Sequence, residues 1–142
     1  MSFITVDQAN AIIAAVVAKG KEAGMKPLTV AVVDAGGSLI CFQRSDGAPS
    51  LRPLVAIGKA AGAAGFGVSS RRLGEMAVER PHFIGAIGHL APQGLIPVAG
   101  GVNVVDDAGR LIGAVGVSGD TSDNDEVCAL AGIAAAGLKA QG

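Results

Sequence analysis

The sequence predicts an α+β fold of one domain spanning residues 1–142, with an antiparallel sheet flanked by N- and C-terminal helices and a central helical segment. Three observations carry that prediction. Two pairs of apolar, β-branched runs are each joined by a short Asp/Gly-containing turn, Leu28–Val33 with Leu39–Arg44 and Gly101–Val105 with Leu111–Ser118. Stretches with apolar residues at helical spacing lie before, between and after these pairs. Hydrophobic residues make up 50% of the chain but aromatics only 3%, so the core must be built from Ala, Val, Ile and Leu and must pack closely.

The first helix opens on Thr5-Val6-Asp7-Gln8, a capping box in which the threonine hydroxyl caps the first turn and the glutamine reaches back to the cap's own N–H. Ala9, Ile12, Ile13, Val16 and Val17 form its apolar stripe, and Gly20 or Gly24 followed by Pro27 ends it. Asp34-Ala35-Gly36-Gly37 turns the first hairpin, because its glycines accept positive φ. The return arm becomes polar toward Arg44 and the second turn signal, Ser45-Asp46-Gly47. Chemistry is expected at that polar end.

Ser50 is expected to cap the second helix, with Pro53 in its first turn and Leu54, Ile57, Ala61 and Ala64 or Gly65 on its apolar face. Lys59, the single charge between Arg52 and Arg71, reads either as a solvated residue on the outer face or as a ligand-binding cation. Ser69-Ser70 caps a short helix that ends at Glu79-Arg80-Pro81. Between Pro81 and Pro97 the periodicity is poor and the glycines frequent, which predicts an irregular connection or a broken short helix. It carries both histidines, His82 and His89. After the second hairpin, turned by Asp106-Asp107-Ala108-Gly109, the small residues of GAVGVSG would admit a close neighbour. Ser122 with Asp125 resembles an acidic cap, and Val127, Leu130, Ala131, Ala134, Ala135 and Leu138 are expected on the buried face of the last helix.

Composition also excludes. A formal net charge of -1, no basic block and few aromatics argue against nucleic acid. No run approaches the roughly 18 apolar residues of a membrane span, and the first residues lack a basic segment followed by an apolar core, so a cytoplasmic protein is expected. Cys41 and Cys128 lie far apart and read as small buried hydrophobes, without a zinc motif. Gly113, Gly116 and Gly119 do not match the dinucleotide or P-loop spacing, and no serine sits in a nucleophile elbow.

Two sets of residues remain. His82 and His89 are candidate ligands, including axial ligands for haem iron, with Arg44, Lys59, Arg71 and Arg72 as cations available to propionates. Arg44 and Lys59 could instead grip a carboxylate, with Asp46 orienting Arg44 and Asp46, His82 or His89 moving a proton, as in a lyase, isomerase or hydrolase acting on a small organic acid.

VAVVDAGGSLICFQRSDGA, then Gly58-Lys59-Ala60, Gly100-Gly101, GAVGVSG and finally DEVCALAG from Asp125 to Gly132 occur in an order that resembles the GlcG/HbpS-like proteins, which include the C-terminal domain of PduO-type proteins. The matching positions are Asp34, Gly36, Gly37, Arg44, Asp46, Gly47, Lys59, Gly101, Gly116, Ser118, Gly119 and Asp125, while Val102-Asn103-Val104 departs from a proline-containing strand entry. The resemblance implies a profilin-like sandwich with a five-stranded antiparallel sheet, assembly into homo-oligomers, and haem or corrinoid as ligand. The expectation is therefore a small-ligand-binding protein for haem or a related tetrapyrrole. An enzyme acting on a small organic acid, or a subunit assembling with a catabolic partner, are the alternatives.

Overall fold

Both hairpins stand where the turn chemistry places them in the computed structural model, which describes residues 3–142. The element order is α1 (Val6–Glu22), β1 (Thr29–Asp34), β2 (Leu39–Arg44), α2 (Arg52–Phe66), α3 (Ser70–Glu79), α4 (Pro81–Gly88), β3 (Gly101–Val105), β4 (Leu111–Ser118), α5 (Ser122–Ala135) and β5 (Lys139–Ala140). Asp34 Oδ1 accepts from the backbone N–H groups of Gly36 and Ser38, each at 2.9 Å, and Asp106 Oδ1 accepts likewise from Ala108 and Arg110. The same Asx chemistry therefore closes both turns. Gly37 and Gly109 follow at φ of 85° and 82°, where a side chain would be strained. The Thr5–Gln8 capping box forms with both of its bonds.

All strand pairs are antiparallel, in the order β2-β1-β4-β3-β5. Strand alternation sorts the side chains onto two unlike faces. On one, Val30, Val32, Val102, Val104, Val115 and Val117 pack against Ile12, Ile13 and Val16 of α1 and Cys128, Ala129 and Ile133 of α5. On the other, Val33 and Ala114 meet Ala60 and Ala64 of α2. There the backbones nearly touch. A Cβ at Gly116 would stand 2.0 Å from the Ala56 carbonyl oxygen, and one at Gly101 2.2 Å from that of Lys59. The close approach expected from GAVGVSG is thus made by α2.

Several local expectations are corrected. Leu51, not Ser50, occupies the N-cap of α2 and offers no side-chain bond, so the entry rests on Pro53 in the first turn. Leu54 is 65% exposed, and α2 instead buries Ala56, Gly58, Lys59, Ala60, Gly62, Ala63 and Ala64. Periodicity cannot choose a face on a helix that is apolar or small nearly all round, whereas the touching backbones admit only the small side chains. The same cause shifts α5, which buries Cys128, Ala129, Gly132 and Ile133 and leaves Val127 and Leu130 48% and 42% exposed. A Cβ on Gly132 would lie 2.6 Å from Val16 Cγ2, so the crossing with α1 selects the glycine's side of the helix. Thr121, one residue before Ser122, caps α5 by accepting from Asn124 N at 3.2 Å. Within the segment read as irregular or broken, Pro81–Gly88 is a helix. The implied fifth strand is the two-residue β5, paired to Val104 and Val105. Both cysteines are free, and among the described residues no helix is long and apolar enough to cross a membrane.

Candidate functional site: an apolar cleft beside the histidine helix

The closest match to a ligand site is a cleft of about 370 Å³ between the C-terminal half of α2, the end of α4, the segment after it and the β1–β2 turn. Gly58 and Gly62 make notches in α2, and the segment after α4 seats Ile96 and Leu95 in them. A Cβ at Gly58 would stand 2.7 Å from Ile96 Cγ1, and one at Gly62 3.0 Å from Leu95 Cα. Gln93 Nε2 then donates to the Gly37 carbonyl and ties this strap to the hairpin. The space left between them is lined by Ala61, Gly65, Phe66, Ile87, Leu90 and Leu95 among others, with no charged side chain and Gln93 as the polar one. Such a cleft suits a largely apolar ligand held at few polar points.

Helix α4 is set against α2 by aromatic contacts. The Phe83 ring meets Phe66 edge to face, with centroids 6.1 Å apart, and the Arg80 guanidinium lies 4.2 Å from the centre of Phe83. His82 and His89 are both exposed, and seven residues of helix place them on one face, about 10 Å apart along the axis. A single metal cannot be ligated by both at that separation. His89 directly precedes Leu90, which lines the cleft and is 77% exposed at its lip, whereas His82 sits at the far end of α4.

The other expected site residues stand elsewhere. Lys59 does not face solvent: it is 2% exposed, with Nζ 2.9 Å from the Val117 carbonyl oxygen and 3.2 Å from Asp125 Oδ2. Asp125 Oδ1 accepts in turn from the backbone N–H of Asp120 at 3.0 Å. Burial lowers the Lys59 pKa; the Asp125 carboxylate opposes that by charge and hydrogen bond, and the Arg52 guanidinium adds to it. Arg52 donates to Ser118 Oγ at 3.1 Å beside this pair. Arg44 and Asp46 lie at the far end of β2 from the cleft, both exposed and not ion-paired to each other, bordering a groove of about 480 Å³. The structure therefore does not bring Arg44 and Lys59 to one carboxylate, nor either of them to the histidines. Arg71 is bound to Glu126 and Asp123, which hold its pKa up, and Arg72 to Glu75 and Glu79.

Sequence reasoning did not find Gln93, Arg80, Phe83 or the pairing of Asp125. For Lys59 a signal existed. Arg52, Ala56, Lys59, Ala60 and Ala63 recur at spacings of three and four, and that small-residue stripe is the one laid on the sheet.

An antiparallel sheet with paired terminal helices on one face and a glycine-notched helix on the other, opening an apolar cleft beside an imidazole-bearing helix, defines a small α+β sandwich. The chain belongs to the family described as haem degrading protein HbpS-like, whose model matches residues 4–134. Among solved structures it is similar to a PduOC–heme complex (23% identity, TM-score 0.88, 99% of this chain and 100% of that one). It is also similar to HbpS (29%, 0.81, 94% and 90%) and to the Klebsiella pneumoniae protein ORFY (27%, 0.86, 96% and 92%). No curated protein sequence matches it.

Proposed function

We propose that this protein binds haem or a related tetrapyrrole in the cleft between α2 and α4, with His89 as the axial ligand. The observation that carries the reading is the juxtaposition of an uncharged, aliphatic cleft with an exposed imidazole next to its lip residue Leu90. Membership of a family described by haem chemistry and a structural relative solved with heme support it. A bound tetrapyrrole iron would supply redox chemistry and exchangeable axial coordination. The chain's own part is to exclude water from one ring edge with Ala61, Phe66, Ile87 and Leu95 and to present the His89 imidazole. Because Leu90 and the outer rim stay exposed, the reading includes a homo-oligomer in which a second copy covers the ligand.

Haemin titration tests it. A saturable Soret band is expected with the natural chain and with His82→Ala, and its loss or a marked shift with His89→Ala. An unchanged band in both variants overturns His89 as ligand, and no saturable band overturns the binding reading.

A further inference from the structure

We propose a second binding site, for a small organic dianion, in the groove between the end of α1 and the end of β2. It lies at the opposite end of β2 from the tetrapyrrole cleft, about 20 Å away along a six-residue strand, and does not depend on that cleft being occupied. Lys21, Lys26 and Arg44 line it, against one carboxylate, Asp46. None of the three cations forms an ion pair among the described residues, and Glu22, next to Lys21 in sequence, is 3.9 Å from Lys19. Even with Asp120, beside Lys26, counted along with Asp46, a chain of net charge -1 keeps a local excess of positive charge on one concave surface. The floor is apolar, built from Val17, Met25 and Leu28, so the complement is a carbon-backed dianion rather than a bare ion.

The rim is fixed before any ligand arrives. Lys26 N donates to Asp120 Oδ1 at 3.1 Å, and Asn124 Nδ2 holds the other oxygen at 2.7 Å, which lowers the Asp120 pKa and keeps that anchor charged. Gly119 presses against Pro27, where a Cβ would come within 2.3 Å of the Pro27 carbonyl oxygen. On the other bank, Ser45 N donates to the Leu28 carbonyl at 3.0 Å, and Ala48 N to that of Ser45 at 3.1 Å across the Gly47 turn. Backbones pinned in this way spare the ligand the cost of ordering the loop, and the pairing of an arginine fork with lysine point charges suits carboxylate or phosphate oxygens. Lys26 also borders a neighbouring cleft of about 440 Å³ with Arg52, which extends the positive field beyond the groove.

Amide chemical shifts of the full chain report on this, titrated separately with succinate and with glycerol phosphate at constant ionic strength. Saturable shifts are expected at Gly20, Lys26, Ser45 and Gly47 with at least one probe, and which probe binds tells carboxylate from phosphate. Lys26→Gln and Arg44→Gln should each weaken binding about fivefold, and the double variant more than tenfold, with His89→Ala unchanged. Absence of saturable shifts with both probes, or an affinity in Lys26→Gln and Arg44→Gln that is unchanged from that of the natural chain, overturns the site.

Discussion

The two faces of the sheet are held by different means. Toward α1 and α5 the sheet offers six valines to isoleucines, and stability there comes from branched side chains removed from water. Toward α2 it offers Gly101, Ala114 and Gly116 to Ala56, Ala60 and Ala64, and also buries Lys59, Ser70, Asn103 and Ser118. Bulk does the work on one side, and proximity with matched polar groups on the other. The second arrangement gains less from burial but fixes backbone positions, and it is the α2 side that carries the notches, the strap and the cleft.

The largest effect expected is at the buried ion pair. Asp125→Ala strands the Lys59 ammonium and should cost about 3–5 kcal/mol in urea unfolding, while Lys59→Met with Asp125→Leu should recover most of that loss. If the double variant is no more stable than Asp125→Ala, the pair is not what holds this side together. Next, Gly116→Ala should cost about 3 kcal/mol although it adds only a methyl, because its Cβ would meet the Ala56 carbonyl. Val115→Ala, one residue along and facing the valine side, should cost about 2 kcal/mol by loss of burial. Thermal midpoints that reverse this order would erase the distinction between the faces. Thr121→Ala, which removes the α5 cap, should cost about 1 kcal/mol.

The smallest effect is on pH dependence. Because the folded Lys59 pKa is below its ordinary 10.5, the unfolded chain binds more protons in the window between the folded value and 10.5. The contribution of Lys59 to stability therefore rises with pH through that window. Urea midpoints at pH 8 and pH 10 should show the natural chain gaining on the Lys59→Met, Asp125→Leu variant, and a loss would mean that Asp125 outweighs burial.

Where one residue type has one local meaning, the sequence was readable. Asp34 and Asp106 with their glycines, Thr5 with Gln8, and the apolar, β-branched strands all landed close to where they were expected. The buried faces of α2 and α5 were not legible, because Ala, Gly and Val surround both helices and only a touching partner backbone decides between stripes. Lys59 misled for the same reason, since a lysine reads as surface until the stripe it shares with Ala56 and Ala63 is known to lie against Gly101 and Gly116. The two histidines fall on one helix, but their unequal relation to the cleft follows from Leu90 and Leu95 folding back over α2, a long-range event with no local period. Residues 139–140 are too short to announce a strand.

Lys59 belongs to α2 and Asp125 to α5, on opposite sides of the sheet, and their bond passes the strand end at Val117. It acts as a rivet through the layers. Neither helix can peel away without tearing that joint, so amide hydrogens of the two should exchange at a common rate, as parts of one cooperative unit.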